Sequence, residues 1–263
     1  MLLEPFLGAL VVLRRLNWAV LPALATVILV FMIREPLIVL ARQRWVWRGQ
    51  RPETAVARRY VLIELPLLAL AGFALLWTAW PWQVLVVLGG CASALTGLAV
   101  LLTIRSRQRA LWFQALSAAG LGSSGLAVCL AIAGGVPEWG WWLWGLLSAY
   151  FLAAILVVHA RLEARIAMKK SSGALTPEFV AMRRQAAWIQ AAMAAAGVAL
   201  FVTGRPWYGT AMLLAAALHV RDLYTMHTPR ALALPMTRVG IRAMVASIVF
   251  TALIIAGSMR GLL

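Results

Sequence analysis

Apolar stretches follow one another along almost the whole chain, separated by short or strongly basic connections, and this constrains the fold more than any motif. They cover roughly residues 17–33, 60–79, 82–104, 111–133, 140–160, 186–203, 206–220 and 243–259, with a shorter stretch at 2–13. A helix needs about 20 residues, at about 1.5 Å each, to cross about 30 Å of hydrocarbon. Most of the stretches reach or approach that length. With 63% of its residues apolar and 12% charged, the chain also lies well outside the composition of a soluble domain. A soluble enzyme, a disordered chain and a secreted disulfide scaffold are excluded. The expectation is an all-α polytopic transmembrane helix bundle of eight or nine spans, one integral membrane domain over 1–263.

A net charge of +16 raises the question of a nucleic-acid partner, and the distribution of the charge answers it. Counting the short stretch as the first span, alternate connections are basic. Residues 34–59 carry Arg34, Arg42, Arg44, Arg48, Arg51, Arg58 and Arg59, and residues 105–109 carry Arg105, Arg107 and Arg109. Residues 161–185 hold Arg161, Arg165, Lys169, Lys170, Arg183 and Arg184, and 221–242 hold Arg221, Arg230, Arg238 and Arg242. Together these are 20 of the 24 basic residues. This is the positive-inside pattern, so the basic connections and the N-terminus are expected on the cytoplasmic side. Anionic lipid headgroups are then the partners of the basic loops. No nucleic-acid module is present to concentrate the charge on one face.

Tryptophans mark both interfaces, as amphipathic indoles do. Trp77, Trp80 and Trp82 flank an expected tight turn at Ala79-Trp80-Pro81; Trp139, Trp141, Trp142 and Trp144 cluster beside Pro137; Trp18 and Trp207 follow Arg14-Arg15 and Arg205-Pro206. Trp45, Trp47, Trp112 and Trp188 lie on the basic side. Small residues recur every four positions at Gly89, Ser93 and Gly97 and at Gly120 and Ser124, and they line the helix through Ala191, Ala194, Ala195 and Gly197. They let helices approach closely within one bundle. Residues 171–178 read as an inner loop. Cys91 and Cys129 lie in apolar surroundings and read as packing residues.

Ionisable groups near membrane depth are costly and mark functional sites. Here they are Glu4, Arg34 with Glu35, Glu64, the ending His159-Ala160-Arg161-Leu162-Glu163 and the ending His219-Val220-Arg221-Asp222. All are expected at the cytoplasmic ends of their helices. Helix dipoles and snorkelling explain each ending separately. Alternatively the two endings, Glu64 and Glu4 converge on a polar mouth, where histidines relay protons or donate to an anionic headgroup. Three histidines without helical pairing make no zinc set, and His227 reads as a solvated loop residue. There is no phosphate loop, nucleophile elbow or Cys-x-x-Cys, and a single aspartate does not suit a magnesium–diphosphate site. No cofactor or metal is expected.

The order of short motifs resembles the YwiC-like family of bacterial membrane proteins. The residues concerned are Leu3-Glu4-Pro5-Phe6-Leu7-Gly8, Arg34-Glu35-Pro36-Leu37, Ser148-Ala149-Tyr150-Phe151-Leu152 leading to Val158-His159-Ala160-Arg161, and Pro235 through Arg242. Family members begin with a His-Gly-Ala-Trp segment just before the stretch that starts here at Met1. The resemblance therefore implies a native start upstream and an incomplete first span at 2–13. The layout is also similar to the nine spans of UbiA-type prenyltransferases, whose Asp-rich motifs are replaced here by Arg34-Glu35 and Arg161-Leu162-Glu163. That implies kinship of fold rather than of chemistry.

The first functional expectation is a binder or carrier of an amphiphilic or anionic small molecule at a cytoplasmic-side pocket. The alternatives are a membrane-embedded lipid or isoprenoid transferase using Glu64, His159 and Arg161, and an assembly factor for a respiratory membrane complex.

Overall fold

The computed structural model describes residues 1–78, 82–105, 110–170, 176–226, 228 and 232–260, side chains apart at 82, 85, 88, 169, 170 and 236. The expected Ala79-Trp80-Pro81 turn, Arg107, Arg109, residues 171–175 of the inner loop, His227 and Arg230 lie outside the described residues. Among those described there are only helices and their connections. They are α1 (Leu3–Leu13), α2 (Val20–Met32), α3 (Arg34–Trp45), α4 (Pro52–Trp77), α5 (Trp82–Ile104), α6 (Leu111–Gly122), α7 (Ser124–Ala133), α8 (Glu138–Lys170), α9 (Pro177–Val202), α10 (Pro206–Thr225) and α11 (Met236–Arg260).

Two of the apolar stretches are bent rods. Between α2 and α3 the bend falls at Ile33, because Pro36 has no N–H for the carbonyl of Met32 and its ring crowds that carbonyl. Between α6 and α7 it falls at Ser123. There Ser123 Oγ donates to Gly120 O at 2.7 Å and Ser124 Oγ to Leu121 O at 3.1 Å. Such back-bonding between two glycines bends a helix. α9 begins in the usual way, with Thr176 accepting from Phe179 N at 3.3 Å and Pro177 in the first position.

Six helical segments are long and apolar enough to cross a membrane: Val20–Trp45, Pro52–Trp77, Leu111–Ala133, Glu138–Met168, Pro177–Val202 and Thr237–Arg260. This is the pattern of a multi-pass membrane protein. The other three stretches form helices that fall short. α1 has 11 residues, the apolar part of α5 described is Gly89–Ile104, and α10 carries His219, Arg221 and Asp222 in its last two turns.

α8 is the axis of the bundle. Its apolar window is 56% buried, against 17–39% for the other spans, and it packs against α1, α6, α7, α9, α10 and α11. Tyr150, Phe151, Leu143 and Leu147 form the centre of the core, with Phe6 from α1, Val128 from α7, and Phe250 and Ile254 from α11. α1 lies along α7. Ser124 Oγ donates to Leu2 O at 2.8 Å, and a Cβ on Gly125 would come within 2.9 Å of Pro5 O. α1 thus starts level with the Ser123 bend, halfway along its neighbour. α9 and α10 touch backbone to backbone, since a Cβ on Gly209 would meet Gly197 O at 2.7 Å. At the end away from the basic loops, Arg205 bonds Glu138 at 3.0 Å and lies 4.2 Å over the Trp142 ring.

The remaining four helices, α2 to α5, form a looser group beside this core. α4 packs against α2, α3 and α5. Gln43 sets the α3–α4 hairpin by donating to Gly49 O at 3.0 Å and accepting from Thr54 Oγ1 at 2.8 Å.

Candidate functional site

Loose packing of this group leaves a cavity of about 1690 Å³ between α2, α3, α4, α5 and the bent α6–α7 rod. Small-molecule pockets are commonly about 300–1,000 Å³, so this space suits a longer molecule. Its wall is made of Leu, Val, Ala, Gly and Phe side chains, with few polar groups. It is open in part to the surroundings, and the lining residues Leu65 and Phe73 of α4 and Val86 of α5 are exposed. The hydroxyls in the wall are largely occupied, as Thr26 Oγ1 donates to Pro22 O at 2.8 Å and Ser123 and Ser124 bond their own helix.

The charged groups in the wall are Arg34 and Arg44, both from α3. They are ten residues apart, about 15 Å along the helix, so Arg44 and Trp45 mark the basic end and Arg34 stands deeper, beside the bend. Arg34 Nε is buried and makes no hydrogen bond; among the described residues its ionic neighbour is Glu35 Oε1 at 3.8 Å, and that carboxylate is 74% exposed. Arg34 therefore offers donors to the cavity.

The ten candidate pocket residues, eight of them expected to share a mouth, are divided among several places. Arg34 alone of them lines the cavity. Glu64 is buried on the face of α4 that also buries Ala57 and Ala71, and its Oε2 has no hydrogen-bond partner. Glu4 accepts from Ser247 Oγ of α11 at 2.6 Å and lies 3.5 Å from the Met1 ammonium. His159 Nδ1 meets Gln114 Nε2 at 2.9 Å, while Arg161 and Glu163 are buried farther along α8. Asp222 holds Arg242 at 3.2 Å. Arg221 is exposed. His219 Nδ1 bonds Gln190 Oε1 at 3.1 Å, and its ring lies 5.5 Å from that of Tyr150.

Two features depart from the sequence expectation. Glu64 is not near a helix end, because α4 starts at Pro52 and carries Arg58 and Arg59 inside the helix. Glu64 is also remote from the histidine endings, since α4 packs on α2, α3 and α5 whereas α10 packs on α8, α9 and α11. Gln190, Gln114, Tyr150 and Ser247 were not singled out beforehand. Gln190 carries a readable signal, being the one amide in the alanine-rich apolar stretch 186–203. Among the described residues no three His, Cys, Asp or Glu side chains group as metal ligands.

The family described as YwiC-like protein matches the chain from Met1 to Cys129. Residues 1–129 are YwiC-like. This segment includes the Leu3–Gly8 and Arg34–Leu37 motifs, whereas those at 148–161 and 235–242 lie beyond it. Every residue lining the cavity except Trp144 falls inside the YwiC-like segment. His159, Arg161, Glu163, His219, Arg221 and Asp222 fall outside it. No curated protein and no solved structure matches the chain.

Proposed function

We propose that this YwiC-like multi-pass protein binds or carries an amphiphilic anion, with the apolar part of the molecule in the α2–α7 cavity and its anionic group at Arg34. The observation that carries this reading is a large apolar cavity whose only charges, among the described lining residues, are two arginines. Apolar walls with a few placed polar groups are the usual build of a ligand site, and a guanidinium suits a carboxylate or phosphate because it can bond two oxygens at once. The ligand enters from the lipid between α4 and α5.

The membrane setting belongs to the same proposal. With the basic connections cytoplasmic, Arg44 lies toward the inner leaflet of a bacterial cytoplasmic membrane and the N-terminus faces inward. α1, α5 and α10 complete a bundle of eight or nine spans, a layout like that of UbiA-type prenyltransferases. The transferase reading lacks a foothold at this site, because no Asp or Glu is among the described lining residues. The basic loops hold anionic headgroups.

Mass spectrometry of amphiphiles retained in lipid nanodiscs tests the site. Wild type is compared with Arg34→Gln, with Gly72→Trp, and with His159→Ala as a control outside the cavity lining. Gly72 lines the cavity and a Cβ there meets nothing within 4 Å, so a Trp ring there is expected to occupy cavity space. A selective anionic amphiphile kept by wild type and His159→Ala but lost by the other two supports the reading. An identical lipid profile in all four proteins overturns it.

A further inference from the structure

Arg34 and Glu64 stand at the same depth on neighbouring helices. The α3–α4 hairpin is registered by the contact between Gln43 and Thr54. From there Arg34 is nine residues back along α3 and Glu64 ten residues forward along α4, about 14 and 15 Å at 1.5 Å per residue. The other end of the group gives the same answer. Ala23 and Leu75 share the buried cluster and both line the cavity. Arg34 and Glu64 each lie eleven residues from them.

The buried faces agree with this register. Ile38 and Ala41, one and two turns beyond Arg34, are buried on α3. Glu64 lies on the buried face of α4 with Ala57 and Ala71. α2 and α5 contain no charged residue, and on α3 the next cations, Arg42 and Arg44, are eight and ten residues farther on. On α4 itself the nearest are Arg59 and Arg58, more than a turn away. Arg34 is thus the cation at the level of Glu64. Yet the two form no ion pair: Arg34 Nε and Glu64 Oε2 are each buried without a hydrogen bond. A buried guanidinium nitrogen, on a side chain that is 37% exposed overall, and a buried carboxylate oxygen, held level and left unbonded, are costly to keep unless a partner comes and goes.

We infer that Glu64 is the internal counter-charge of Arg34, and that an amphiphilic anion entering the cavity competes with it for the guanidinium. This rests on the cavity reading above and adds a reason for release. The Glu64 carboxylate weakens Arg34's hold on the anion, so the site exchanges its ligand instead of trapping it. Glu64 is a positioning residue: it acts through Arg34 and does not line the cavity.

The test uses the full chain in phosphatidylcholine nanodiscs, with a diazirine-bearing sixteen-carbon carboxylic acid and the matching alcohol as photo-crosslinking probes. The readout is the acid-to-alcohol labelling ratio on peptides of α2 to α7. Wild type is expected to prefer the acid, and Arg34→Gln to label equally with both. Glu64→Gln is expected to raise the ratio about two- to fivefold, the upper part of the range of a partly screened charge interaction. Glu64→Leu, which leaves no polar atom to satisfy, gives the same rise by a different packing route and serves if the glutamine variant does not fold. Arg34→Gln combined with Glu64→Gln behaves as Arg34→Gln alone. A wild-type ratio in both Glu64 variants, with the preference lost in Arg34→Gln, overturns the counter-charge and leaves the cavity reading standing. Labelling of those peptides by neither probe, or an acid preference that survives Arg34→Gln, overturns the cavity reading itself.

Discussion

His219 Nδ1 lies 3.1 Å from Gln190 Oε1, and this hydrogen bond ties α10 to α9 in a region where nearly every other contact is between small apolar side chains. Both residues are buried. The imidazole also lies against Tyr150, whose ring stacks on Phe250 at 4.4 Å. This polar contact and two ring contacts thus link α8, α9, α10 and α11. None of these four residues lines the α2–α7 cavity.

Removing either partner strands the other in a dry interior. His219→Ala and Gln190→Ala are each expected to destabilise the folded bundle, and the pair to show a coupling of about 0.6–1.7 kcal/mol, the range of interhelical hydrogen bonds in membranes. A double-mutant cycle by steric-trap unfolding in bicelles measures it. Additive losses with zero coupling would mean that the two side chains pack but do not bond.

The α9–α10 crossing has no room for a methyl group at Gly209, where a Cβ would meet Gly197 O and Phe201 N at 2.7 Å. Neither backbone atom can swing away. Gly209→Ala is expected to cost about 1–3 kcal/mol, as overpacking does, whereas Gly72→Ala, facing open space, stays within about 0.5 kcal/mol of wild type. Equal unfolding free energies for the two variants would show that the crossing is looser than the structure has it.

Orientation is open to direct labelling. In a background with Cys91→Ala and Cys129→Ala, single cysteines are placed by Gly49→Cys and Gly135→Cys, positions where a Cβ meets nothing within 4 Å. A membrane-impermeant maleimide is expected to label Gly135→Cys in intact cells and Gly49→Cys only after permeabilisation. The reverse pattern would place the arginine-rich loops outside and turn the cavity toward the outer leaflet.

Glu138 bonds both Arg205 and the Trp142 indole, but it does so in the open, with 77% of its side chain exposed. Solvent-screened pairs contribute little. Glu138→Gln is expected to leave the thermal unfolding midpoint in nanodiscs unchanged, and a drop of several degrees would show that this end of the bundle depends on the pair.

Local order was legible in the chain because it depends on runs of neighbouring residues. Nine apolar stretches became nine helical rods among the described residues, two of them bent at Pro36 and at the Gly122–Gly125 segment. Arg34 and Glu64 stood out as charges in apolar surroundings without any structure. What the chain could not disclose was which of these groups face one another. A helix presents every side chain at a known angle along its own axis, but neighbours across a bundle are chosen by how small residues let backbones approach, as at Gly125 and Pro5 or Gly197 and Gly209. That choice put Glu64 beside α3, sent His219 to Gln190 on the other side of α8, and left the space between α2 and α7 unfilled. The grouping of distant residues, and with it the cavity, is a property of packing alone.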